Sequence, residues 1–277
     1  MKLVRFGPPG AEKPGLVDAE GQVRDLGAMI DDISGAVLLP QGLAALRAVD
    51  ARSLPVAPAG VRMGPCVGRA GKIVGIGLNY SDHAAEVGRP VPSSPGFFLK
   101  ATSSISGAAD PIILPPASQA TDWEAELGIV IGVPGKYITE ADAIGHVAGF
   151  CTAGDISERT YQAESGPTAA KSFDSFTPLG PWLVTVDEVA DPYDLRVTCD
   201  VDRRRHQDGN TRDLIFRIPA ILAHVSRYFS LQSGDVILTG TPAGVGKGRK
   251  PPLYLRAGNR VRIAVEGLGI QEHIVEG

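Results

Sequence analysis

Apolar positions in this chain come in short runs cut by glycine- and proline-rich breaks. Most runs alternate like a half-buried strand or stay apolar throughout, and few repeat at helical spacing. That pattern predicts an α+β protein that is mainly β, with many short strands. Residues 2–6 and 14–18 read as strands of a hairpin, with 19–22 as the next turn, while 26–33 and 42–49 have helical spacing. Residues 53–60 form a proline-rich connector. Residues 1–68 therefore read as a small N-terminal unit. It groups no acids, histidines or nucleophiles, so its expected role is structural. Residues 69–277 read as the main domain, with strands at 72–77, 97–100, 111–114, 123–133, 147–152, 195–201, 236–238, 253–255 and 260–265. One helix is expected within 214–229, with Pro219 in its first turn and His224 as an ordinary helix residue.

The stretch 121–133 reads T-D-W-E-A-E-L-G-I-V-I-G-V. Alternation puts Glu124 and Glu126 on one face, with Asp122 before them, and Trp123, Ala125 and Leu127 on the other. A second apolar run, 147–152, leads to Asp155. Two glutamates on a core strand are costly without a counter-charge, and no Lys or Arg lies between Ser103 and Gly135. Two readings fit: an edge strand with a solvated acidic face, or carboxylates around a hard divalent cation such as Mg²⁺ or Mn²⁺.

His83 and Glu86 are three residues apart and share a face on a helical turn. A carboxylate that fixes a histidine tautomer makes a base able to activate water; the alternative is an exposed polar turn. Residues 88–96 hold three prolines and two serines, as a surface loop does, so the turn reads as part of a lid. Lys100, at a strand end, reads as solvated. Two glycine patterns are rejected. G-I-G at 75–77 lacks the third glycine of a dinucleotide loop, because Tyr80 stands there. In 240–248, Lys247 is followed by Gly248 rather than Ser or Thr, so no phosphate loop is present. That loop's backbone N–H groups could still hold a carboxylate.

Composition narrows the class. The chain has 277 residues, 43% hydrophobic, with 34 Gly and 22 Pro, which suits a loop-rich globular protein. A net charge of -4 gives no nucleic-acid signal. Cys66, Cys151 and Cys199 are odd in number and form no C-x-x-C, which fits reduced, buried thiols in a cytoplasm. Residues 1–15 lack the apolar core of a signal peptide, and no apolar run reaches membrane-spanning length.

Six motifs follow in order: G-L-N-Y-x-D-H-A-x-E, F-x-K, D-W-E-x-E-L, G-D-x-S-x-R-x-x-Q, K-S-x-D-x-F-x-P-x-G-P and G-D-V-I-x-T-G-T-P-x-G-V-G. The series resembles the fumarylacetoacetate hydrolase family over roughly residues 70–277. Within the family, F-L-K-A-T-S-S-I-S-G and K-P-P-L-Y-L are most similar to the branch that contains 2,4-diketo-3-deoxy-L-fuconate hydrolase and acylpyruvase-like bacterial enzymes. The resemblance implies a mixed β-sandwich roll as catalytic domain. It also implies one Mg²⁺ or Mn²⁺ held by Glu124, Glu126 and Asp155, and a lid dyad of His83 and Glu86. Carried over motif by motif, it implies Lys171 in the pocket, Arg159 and Gln162 near the substrate, and Thr241 on the substrate carboxylate. A homodimer built through the catalytic domain is implied too. Gly154 departs from the pattern, since many members carry a polar residue there.

The expected reaction is metal-dependent hydrolysis of a carbon–carbon bond in 2,4-diketo acids. Fumarylpyruvate and 2,4-diketo-3-deoxy sugar acids are examples. The products would be a pyruvate-type keto acid and a carboxylic acid. Oxaloacetate decarboxylation and 2-hydroxymuconate-type isomerisation are the alternatives on the same fold. A non-catalytic protein with a structural metal is the reading from another class.

Overall fold

The computed structural model describes all 277 residues as two large packed sheets, two two-stranded ribbons and four short α-helices, a mainly β α+β architecture. The larger sheet has nine strands. Its order is Val23–Asp25, Lys13–Val17, Lys2–Phe6, Leu183–Thr185, Val147–Gly154, Ala125–Ile131, Val236–Leu238, Ile73–Gly77, Gly96–Lys100. The smaller sheet has five: Arg204–Asn210, Arg196–Val201, Arg260–Val265, Gly269–Glu276, Ile112–Ile113. The first three strands of the chain continue the large sheet, because Lys2 and Leu3 pair with Val184 and Leu183.

Ala125–Ile131 is central to the large sheet and buried on both faces. Ala125, Leu127, Ile129 and Ile131 face the core shared with the small sheet, and Val130 faces the core that Leu3, Leu16 and Leu38 share. A solvated edge strand is thereby excluded, since Glu124 and Glu126 are 5% and 2% exposed. Such a strand tolerates no truncation at its apolar positions; Ile129→Ala would cost about 2–5 kcal/mol.

Three expectations fail locally, the first being the strand at 253–255, a stretch that has no regular structure. Residues 26–33 form turns, not a helix. Asp25 and Asp32 accept from the Gly27 and Ile33 N–H groups at 2.6 and 2.8 Å, and such side-chain bonds compete with the helical ladder. Leu26 and Ile33 are buried all the same. The acidic strand is also not continuous. Thr121–Asp122 pairs with Ser157–Glu158, Trp123 and Glu124 bridge the break, and the long strand starts at Ala125. The helix expected within 214–229 is Ile218–Val225, with Pro219 in its first turn. No helix is long and apolar enough to cross a membrane. All three cysteines are free and buried.

Candidate active site

Backbone pairing brings the acids together. Ala125 lies opposite Gly154 and Glu126 opposite Ala153, and the Asp155 N–H donates to the Glu124 carbonyl at 2.9 Å. Asp155 thus emerges beside the two glutamates, and ligand oxygens of the three carboxylates lie within 4.8 Å of one another. Gly154 is required by close packing, because a Cβ there would sit 2.7 Å from Pro178 Cγ. The polar residue that the resemblance leads one to expect at this position has no room.

Three buried cations answer these acids. Lys171 Nζ donates to Glu124 Oε2 at 2.6 Å and also to Asp155 Oδ2. Arg159 Nη2 donates to Glu124 Oε1 at 2.5 Å. Lys100 Nζ donates to Asp155 Oδ1 at 2.6 Å and to the Phe176 carbonyl at 2.8 Å. Lys100 is 3% exposed, so the expected solvated strand end is wrong: the side chain turns inward beneath the site. Its F-x-K motif was the available signal.

Glu126 differs from its neighbours. One oxygen accepts from the Gly240 N–H at 2.6 Å, and no cation touches the carboxylate. Burial, then the nearby Asp155 and Glu124 charges, push its carboxyl well above the usual range. Burial acts the same way on Glu124, but Lys171, Arg159 and His83 overcome it and hold that carboxyl below its usual value. Burial disfavours the Lys171 charge, yet Asp155 and Glu124 raise its pKa; burial and Lys171 depress Lys100. Three hard oxygen donors, one of them short of positive charge, suit a divalent ion such as Mg²⁺ or Mn²⁺.

Lid and loop close the site. Ser81–Glu86 is a short helix, on which His83 Nδ1 meets Glu86 Oε2 at 2.9 Å. The other Glu86 oxygen accepts from the Gly244 N–H at 2.9 Å, and Asp82 accepts from Ala243 N–H at 3.2 Å. The glycine-rich loop was expected to offer its N–H groups to a substrate carboxylate. Most are instead taken by the protein's own acids, because Asp122 accepts from Gly246 and Lys247 at 2.6 and 3.0 Å and Glu126 from Gly240. Asp122 therefore does not share the ligand face of Glu124 and Glu126. It ties this loop to Arg159 Nε at 2.9 Å.

Helix Arg159–Ala170 places Arg159 and Gln162 one turn apart, joined at 3.1 Å, and Lys171 caps its C-terminus. The Thr241 hydroxyl donates to the Ala125 carbonyl at 2.9 Å and accepts from Gln207 Nε2 at 2.7 Å. Its proton is committed, so what Thr241 can offer a substrate is its backbone N–H, which has no protein acceptor. Gln207, fully buried on the small sheet, also accepts from Ala125 N–H at 2.9 Å. Nothing local in the sequence singles it out. His83, Glu124, Glu126, Asp155, Arg159, Gln162, Lys171 and Thr241 all line one cavity of about 330 Å³, and Glu86 stands directly behind His83.

The Fumarylacetoacetate (FAA) hydrolase C-terminal family matches residues 72–276. A Burkholderia multivorans protein named "Putative hydrolase" is 54% identical over 274 residues, covering 98% of this chain and 97% of that protein. The fumarylacetoacetate hydrolase of Exiguobacterium antarcticum superimposes with a TM-score of 0.86 at 34% identity, covering 100% of this chain and 99% of that one. Maleylpyruvate hydrolase of Sphingobium sp. SYK-6, solved with manganese (II) and pyruvate, superimposes with a TM-score of 0.83 at 30% identity, over 100% and 99% of the two chains. The chain belongs to the fumarylacetoacetate hydrolase family of enzymes.

Proposed function

We propose that this enzyme hydrolyses the carbon–carbon bond of acylpyruvate-type 2,4-diketo acids. One observation carries the reading: a carboxylate-oriented histidine and a three-carboxylate cluster face the same cavity. Glu124, Glu126 and Asp155 would hold Mg²⁺ or Mn²⁺, which supplies Lewis acidity toward the substrate's carboxylate and 2-keto oxygens. The Sphingobium enzyme, solved in complex with manganese (II) ion and pyruvate, supports a metal and a keto acid on this fold.

The chain's own groups supply the rest. Glu86 holds Nδ1 of His83 and leaves Nε2 to take a proton from water. The hydroxide adds to the acyl carbonyl carbon, the bond from that carbon to C3 breaks, and its electron pair becomes a pyruvate enolate. Lys171 and Arg159 balance the negative charge that develops. The proton taken by His83 returns to C3, giving pyruvate and a carboxylic acid, so one water is consumed per bond broken. The Thr241 N–H, Arg159 and Gln162 would fix the substrate carboxylate.

Residues 1–68 are read as a small unit beside a catalytic domain of 69–277, and the working form as a homodimer in a reducing cytoplasm. The free cysteines support the compartment. Light scattering should return twice the 29.0 kDa chain mass, and the chain mass alone would count against the dimer. The reaction is tested by assaying the purified protein with Mg²⁺ or Mn²⁺ against acylpyruvates and oxaloacetate and identifying products. Carbon dioxide from oxaloacetate without acylpyruvate cleavage would replace this reading with the decarboxylase.

A further inference from the structure

Lys171 is held on three sides. Its ammonium donates to Glu124 Oε2 at 2.6 Å and to Asp155 Oδ2, and Nζ stands over the Phe98 ring, 4.9 Å from its centre. An ammonium carries three N–H donors, and only two of these meet an oxygen of the protein. We infer that Phe98 is a positioning residue: the negative face of its ring holds the Lys171 ammonium where the enolate forms. This rests on the enolate-forming reaction proposed above and adds a residue to it.

The F-x-K motif puts the ring there. On the strand Gly96–Lys100, alternation turns Phe98 and Lys100 to one face and Phe97 and Leu99 to the other. Phe98 lines the cavity and Lys100 reaches Asp155, whereas Phe97 packs on Tyr228 and Phe229, with ring centroids 5.2 and 5.7 Å apart. The neighbouring strand leaves the ring its seat. Gly75 pairs with Phe98, and a Cβ on Gly75 would stand 2.2 Å from Phe98 Cζ. The G-I-G run that fits no dinucleotide loop thus has a reason at its first glycine, because no side chain is tolerated under the ring.

Burial gives the contact its strength. Lys2 over Trp182, Lys136 over Tyr137 and Arg217 over Tyr193 are the protein's other cation–ring contacts, and water reaches all three cations. Lys171 is 4% exposed, so water competes little for its charge and the ring's quadrupole attracts it at the strong end of the usual range. The ring also offers what the acids do not. Glu124 and Asp155 draw the ammonium toward the wall, and its third N–H has no oxygen to meet. An aromatic face is a weak acceptor, which steadies that N–H and yields it readily to an enolate oxygen. A leucine fills the same seat without such a face.

Fluorine on the ring tests this, because it drains the negative face in steps while shape and apolar character are nearly kept. Mono-, di- and trifluorophenylalanine are placed at position 98, and each enzyme is assayed with Mn²⁺ and an acylpyruvate. The kcat should fall stepwise, to about tenfold lower for the trifluoro ring, with KM moved less than about twofold, since a desolvated cation–ring contact is removed. Phe98→Leu should lose at least as much. A kcat that stays flat along the series, or a loss carried by KM, overturns the assignment and leaves the hydrolase reading standing. A second readout needs no turnover. In chemical denaturation, the midpoint losses of Phe98→Leu and Lys171→Met should be less than additive in the double variant, because each removes the same contact. If no acylpyruvate is cleaved, the hydrolase reading fails and this cycle decides: sub-additive losses uphold the hold of the ring on the lysine, and additive losses overturn it.

Discussion

Two clusters of charge in this protein, one half-buried and one buried, look alike by composition and differ in how fully they are satisfied. In the first, beside the N-terminal strands, Arg5 and Arg62 meet Glu12, Asp32 and Asp110. Arg62 grips Asp110 through two bonds of 2.6 Å, and Arg5 holds Asp32 at 2.6 Å. Backbone N–H groups of Gly10, Ile33 and Gly107 complete the set, so every one of the carboxylate oxygens has a donor. In the second, the catalytic cluster, Glu126 has a single backbone donor and no cation, and the oxygens of three acids open on a cavity. A network that closes on itself holds the fold. One that leaves a carboxylate short of charge leaves room for a ligand, at a cost in stability.

Removing one charge should therefore act in opposite ways at the two places. Glu126→Gln deletes a charge that the fold leaves uncompensated, and it also deletes a metal ligand. Turnover should fall by at least about 10³-fold and calorimetric Mn²⁺ binding should vanish, while the metal-free protein melts no lower than wild type. A lower melting temperature for metal-free Glu126→Gln would break the comparison.

His83→Ala touches no proposed ligand. It should lower acylpyruvate turnover by about 10²–10⁴-fold with Mn²⁺ affinity intact. Glu86→Gln should cost less, about tenfold, because its single amide oxygen can still accept from His83 Nδ1–H, while its nitrogen then faces the Gly244 N–H and that bond is lost. Single-turnover rates on both variants rank the two contributions.

At the closed network, Arg62→Met should destabilise by about 1–2 kcal/mol, below the buried-pair range because both partners are partly solvated. Chemical denaturation measures this, and Mn²⁺ affinity should not change. A smaller effect lies in its pH dependence. Burial raises the Asp110 pKa, but the Arg62 hydrogen bond and others hold it below its usual value in the folded protein. A depressed folded pKa adds stability above the unfolded value, about 4, that is lost as pH falls through the folded value. The gap between wild type and Arg62→Met should thus narrow below about pH 4, and a gap that widens there contradicts the pairing.

Much of the site was legible because its spacing is local. Alternation alone put Glu124 and Glu126 on one face, and three-residue spacing joined His83 to Glu86. The second apolar run ended where Asp155 stands. What escaped depends on contacts far apart in the chain. Lys100 reads as an ordinary strand end until Asp155, 55 residues later, folds over it. Gln207 acts on Thr241 from the other sheet. Asp122 kept the right residue type but the wrong face, because the strand breaks at Trp123 and Glu124. The 26–33 stretch had helical spacing, yet Asp25 and Asp32 carry side chains that close turns instead.

The central claim is hydrolysis at the acyl carbon, and oxygen-18 tests it directly. The Mn²⁺-loaded enzyme is given an acylpyruvate in H₂¹⁸O, and the released carboxylic acid is examined by mass spectrometry. The account predicts one ¹⁸O atom in each molecule of that acid, because the hydroxide formed beside His83 adds to the acyl carbonyl. Unlabelled acid, loss of carbon dioxide, or an isomerised substrate with its carbon chain intact would contradict it.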